Sequence, residues 1–91
     1  MKELPLNVNA YKKTPEFDEE SVPSGLLNEH RTKESVWGKI VVLKGELQYT
    51  INEPEIEVIT LNPTNFGVVE PAVPHLVKPL GKVRFYVEFH K

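Results

Sequence analysis

Eight prolines and five glycines interrupt a chain of 91 residues every few positions, which leaves little room for helix. Proline ends or kinks a helix and glycine weakens one. No window of helical length keeps an apolar period of 3.6 without interruption. The nearest, Glu16 to Val22, is short, acidic and closed by Pro23, so it predicts a single turn at most. Extended chain survives such punctuation, because a strand needs only five or six residues at a time.

The strand signals follow. Ala10 to Lys13 reads as a short edge strand stopped by Thr14-Pro15, and Leu26 to His30 as a second. Val36 to Leu43 is the strongest and ends in four consecutive apolar residues, the pattern of a central strand buried on both faces. Lys44-Gly45 bends the chain. Glu46 to Ile51 then alternates, with Leu47, Tyr49 and Ile51 on one side. After a turn at Asn52-Glu53-Pro54 come Ile56 to Leu61, a turn at Asn62 to Asn65, and then Phe66 to Val69, His75 to Val77 and Val83 to Phe89. In the last strand Val83, Phe85, Val87 and Phe89 share one face, and Arg84, Tyr86, Glu88 and His90 the other. Trp37, Phe66 and Phe85 read as core. Short strands joined by tight turns predict an all-β barrel or sandwich, closed so that its edges are hidden.

One domain spanning residues 1–91 fits the length. No cysteine is present, which excludes disulfides, thiolate metal sites and thiol nucleophiles. A net charge of −2 gives no basic footprint for nucleic acid. No window approaches a membrane span and the amino terminus lacks an apolar leader core, so a soluble cytoplasmic protein is expected. There is no phosphate-binding glycine loop, no Gly-x-Ser-x-Gly elbow and no HExxH.

The candidate chemistry lies in two histidines. His30 ends the stretch Gly25-Leu26-Leu27-Asn28-Glu29, and His75 follows Pro71-Ala72-Val73-Pro74. Imidazole is the commonest neutral metal ligand, so two on facing strands would make half of a metal site. Glu88 is the best third ligand, giving two His and one carboxylate if its strand face lines a cavity; Glu34 and Glu70 stand in reserve. On the same face Arg84 would fix an anion and Tyr86 would line the pocket. The plainer reading is equally open: histidines bonded to backbone carbonyls, and a surface Arg–Glu pair worth under about 1 kcal/mol. His90, next to the terminus, reads as a frayed tail.

A family resemblance enters here. Val36-Trp37-Gly38-Lys39 and Val42-Leu43-Lys44-Gly45, after Thr32-Lys33, resemble the first motif of the TehB/YeaR-like small cupins. Phe66-Gly67-Val68-Val69-Glu70-Pro71-Ala72-Val73-Pro74-His75 resembles the second motif of cupins in general. The likeness covers about Tyr11 to Phe89. It departs from most metal-binding cupins at Thr32, two residues after His30, where those have a second histidine, and at Gly38-Lys39, where a glutamate is usual. The resemblance implies a cupin-like double-stranded β-helix (a jelly roll of short antiparallel strands). It also implies a divalent metal (zinc, nickel or iron) on His30 and His75, and a role in the response to tellurite or related oxidant or anion stress. In some bacteria this module is fused ahead of a methyltransferase, and cupins are commonly dimers. The implied partners are therefore a second copy, exchanging the strand around Tyr11, and a small oxyanion or other small molecule. The alternatives are a metal-free small-ligand module and a dimeric interaction domain that partners a separate methyltransferase.

Overall fold

The computed structural model describes residues 1–91. Six strands and one helical turn follow in order: β1 (Ala10–Lys13), β2 (Phe17–Asp18), α1 (Ser24–Leu27), β3 (Trp37–Ile51), β4 (Glu57–Leu61), β5 (Gly67–Val69) and β6 (His75–His90). All strands join one antiparallel sheet of order β1-β6-β3-β4, with β2 also on β6 and β5 also on β3. No helix is long and apolar enough to cross a membrane.

Two long strands organise the fold. β3 and β6 pair from Trp37↔His90 to Ile51↔His75, and each replaces two shorter strands expected from the sequence. The bend expected at Lys44-Gly45 is real but does not break the strand. The register shifts between Val42 and Lys44 and again between Gly45 and Leu47, so the ladder bulges and continues. Leu43 is the extra residue of the first shift and is 44% exposed, which corrects the view of Ile40 to Leu43 as buried on both faces. The odd residue also has a use. Ile40 and Val42 face the core before the bulge, and Leu47, Tyr49 and Ile51 face it afterwards, so the inward row changes parity across the bend. Gly45 carries φ +80, where a Cβ would collide with the carbonyl oxygen of Lys82.

The core joins that row to Val77, Val83 and Phe85 of β6, Leu61 of β4 and Val69 of β5. Each such side chain stabilises the fold by roughly 1.5–3 kcal/mol on burial. Tyr49 keeps its hydroxyl satisfied there by donating to the carbonyl of Val68 at 2.9 Å.

Five expectations are corrected. The sheet remains open, with edges at β1 and β4, rather than closing into a barrel. Leu26 and Leu27 lie in a helical turn, not a strand: Asn28 Nδ2 donates to the Ser24 carbonyl at 2.8 Å and closes it, while Leu26 packs on the core. Phe17-Asp18 is strand, because Phe17 meets Phe85 edge-on at 5.7 Å; the Asp18 carboxylate then accepts from the amides of Glu20 and Ser21 and turns the chain. Finally, Phe85 is fully buried as expected, but Trp37 is half-buried and Phe66 is exposed beneath the Lys39 ammonium. His90, far from frayed, is 8% exposed at the end of β6.

Candidate functional site

A cavity of about 550 Å³ lies on the inward face of β3, β5 and β6, beneath the segment from Phe17 to Val36. Alternation along β6 places Val77, Phe85, Val87 and Phe89 in its wall, and Gly38 and Ile40 of β3 complete the apolar lining. A Cβ on Gly38 would meet Val69 Cβ at 3.0 Å, so the absent side chain lets β3 and β5 close on each other there.

His30 and His75 stand together in this cavity. Their backbones form an isolated antiparallel bridge, His30 N to His75 O at 2.9 Å and His75 N to His30 O at 2.8 Å. Their ring centroids lie 4.0 Å apart. Each ring is oriented by its own chain: Nδ1 of His30 donates to the Asn28 carbonyl at 3.0 Å, and Nδ1 of His75 to the Val73 carbonyl at 2.9 Å. A carbonyl only accepts, so each ring in its neutral form carries the proton on Nδ1 and leaves Nε2 as a bare lone pair. Burial drives the His75 pKa down to about 4, with the neighbouring His30 adding to the shift and the Val73 carbonyl opposing it. His75 is therefore a neutral acceptor at pH 7.

The two loops that carry the pair are held under tension. Ser35 (φ 69) and Ala72 (φ 59) occupy the left-handed region, which costs a residue with a Cβ on the order of 1 kcal/mol or more. Thr32 ties the loops together: its hydroxyl donates to the Val36 carbonyl at 2.9 Å and accepts from the Ala72 amide at 3.4 Å.

The structure thus brings His30 and His75 together and leaves the other expected residues elsewhere. It is the apolar row of β6 that faces the cavity, so Arg84, Tyr86 and Glu88 occupy the opposite face. Arg84 pairs with Glu16 at 3.2 Å in solvent, Tyr86 lies under the Lys13 ammonium at 5.1 Å, and Glu88 accepts from His90 Nε2 at 2.8 Å. Glu70 pairs with Lys2 at 3.3 Å. Neither Glu70 nor Glu34 lines the cavity. No group of three or more His, Cys, Asp or Glu suited to a metal ion occurs in the chain. A catalytic zinc or non-haem iron centre takes three protein ligands, and here His30 and His75 supply two. Lys12, Arg31 and Lys33 do line the cavity, and sequence reasoning missed them. Their only signal was position, since Arg31 and Lys33 flank Thr32 directly after His30.

The strand order, the bent β3–β6 pair and the bridged histidines define a small antiparallel β module with one lined cavity. Residues 12–87 match the TehB-like domain, and the chain belongs to that family. It is 34% identical over 75 residues to the probable S-adenosyl-L-methionine-dependent methyltransferase TehB of Haemophilus influenzae, a match that covers 78% of this chain and 26% of that protein. The chain thus spans about a quarter of that relative's length. The crystal structure of Haemophilus influenzae TehB superposes with a TM-score of 0.83 at 28% identity, over 91% of this chain and 31% of that one. A protein from Escherichia coli (strain K12) shares the fold along its whole length, with a TM-score of 0.88 at 22% identity, covering 100% of this chain and 97% of that one.

Proposed function

We propose that this chain is a TehB-type ligand-binding module that serves a methyltransferase and needs no metal to bind. Its cavity takes a small organic molecule, and the two bare imidazole nitrogens accept hydrogen bonds from it. The observation that carries this reading is the cavity itself: about 550 Å³, largely apolar, with a few oriented polar groups. That is the usual composition and size of a small-molecule site. The link to a methyltransferase, and to tellurite or related oxidant stress, comes from the likeness to TehB. Reading the bent β3–β6 pair as one half of a cupin-type jelly roll belongs to the same proposal, as do a cytoplasmic setting and a homodimer.

The test is an amide NMR titration of the full chain with small neutral aryl alcohols and amides. Shifts confined to residues around His30, Val69, His75 and Val87 support the reading. Shifts scattered over the surface, or none at high concentration, remove it.

One observation favours a second reading. Histidines that ligate metals commonly donate their other N–H to a backbone carbonyl, as both do here. In that reading the pair shares a divalent zinc, nickel or iron with water completing the shell. Calorimetric titration of chelator-treated protein decides: micromolar binding that is lost in both His30→Ala and His75→Ala would replace the metal-free reading.

A further inference from the structure

The charge around the cavity is one-sided. Lys12, Arg31 and Lys33 line it, and no Asp or Glu does, although the chain carries 13 acidic and 11 basic residues. Of the carboxylates near in sequence, Glu34 follows Lys33 but lies outside the lining, and the others are engaged elsewhere. Glu29, beside His30, accepts from Asn52 Nδ2 at 2.8 Å; Glu19 accepts from the Val83 amide at 3.0 Å; Glu16, Glu70 and Glu88 hold Arg84, Lys2 and His90. The three cations, by contrast, have no partner. None of their side chains makes an ion pair, a hydrogen bond or a cation–π contact, whereas Lys13, Lys39 and Lys91 each cover an aromatic ring. Every charged residue that lines the cavity is therefore basic, above an apolar floor.

Size decides which anion. A bare inorganic oxyanion fills on the order of two or three waters' share of volume, at about 30 Å³ each. The cavity is several times larger and its floor is hydrocarbon, so a bare oxyanion would lose its hydration there without replacement. An apolar body fills that space and leaves its charge at the rim.

We infer that the ligand is an organic monoanion: a carboxylate on an apolar body, its charge held at the rim by Arg31 and Lys33, with a ligand hydroxyl or N–H donating to a histidine Nε2. Arg31 supplies the planar fork that matches a carboxylate, and Lys33 and Lys12 add point charge. The bare imidazoles set the second requirement. They accept rather than donate, so they favour an anion that also carries a donor, as a hydroxy acid does.

This inference rests on the ligand-binding reading above, and the experiment separates the two. The 91-residue chain is titrated by calorimetry with 3-phenyllactate and with its neutral amide, 3-phenyllactamide. The carboxylate should bind at least tenfold tighter, and the preference should shrink as salt is raised to about 0.5 M. Arg31→Gln with Lys33→Gln, both exposed, should leave thermal stability unchanged and abolish the preference while the amide still binds. Equal binding of the two compounds by the parent protein overturns the charge inference and leaves the cavity reading standing, as does a double variant that keeps the full preference. If neither compound binds, both readings fall.

Discussion

Lowering the pH should destabilise this protein through His75. In the folded chain its pKa is pushed from 6.5 to about 4, principally because burial penalises the charged ring. Between those values the unfolded chain binds the proton and the folded chain does not. Stability is thus unaffected above about pH 6.5, falls as pH drops through that range, and stops falling near pH 4. A gap of roughly 2.5 pH units at about 1.4 kcal/mol each is on the order of 3–4 kcal/mol, about 3 kcal/mol of it lost by pH 4. For a domain this small, that corresponds to a drop of roughly 10–20 °C in Tm. Exposed carboxylates also titrate at the lower end, so the comparison must isolate the ring. His75→Phe conserves shape and removes the titration, although it also removes the bond to the Val73 carbonyl, a loss that does not depend on pH. Urea unfolding of both proteins at half-unit steps from pH 7.5 to 4 gives the two stability curves. The parent should lose about 3 kcal/mol more than the variant. Parallel curves would mean that the folded state accommodates a charged ring at no cost, and the account of His75 as a desolvated acceptor would be wrong.

Three further perturbations follow. Gly45→Ala forces a Cβ into the Lys82 carbonyl at φ +80 and should cost more than about 2 kcal/mol in chemical denaturation, or leave no folded protein. Tyr49→Phe removes the donor to the buried Val68 carbonyl and should cost about 1–2 kcal/mol, read as a shift in urea midpoint at constant slope. Arg84→Ala breaks only a solvent pair with Glu16, so thermal stability should change by under about 1 kcal/mol and ligand affinity in the cavity not at all, since Arg84 lies on the far face.

The strands were legible where alternation was strict. Leu47, Tyr49 and Ile51 announced their common face, and Val83 to Phe89 did likewise. The joins were not legible. Gly45 and the Pro79–Gly81 stretch look like breaks in a sequence, but two bulged strands that remain paired can pass through such residues without separating. The Leu26–His30 run misled because Leu26 packs on the core from a single helical turn, closed by an asparagine whose role depends on a backbone carbonyl four residues earlier. At the site, the pairing of His30 with His75 was readable from family motifs, while the choice of face on β6 was not. Apolar and polar rows alternate cleanly there, and nothing local says which one meets a cavity rather than solvent. Glu88, Arg84 and Tyr86 were placed on the wrong side for that reason. The basic lining escaped because the motif around Thr32-Lys33 does not say which way Lys33 or its neighbour Arg31 faces; they converge with Lys12 only when residues 12 and 31–33 are folded against one opening.

The backbone bridge between His30 and His75 has a mechanical side. Arg31 and Lys33 ride on a stretch fastened to the start of β6 by two main-chain bonds at His30 and to the Glu70–Ala72 loop before it by the Thr32 hydroxyl. A latch of so few bonds is weaker than the ladder behind it, so this flap should detach well before the sheet melts. Deuterium uptake at those two histidine amides would then time the opening of the doorway and leave the rest of the house undisturbed.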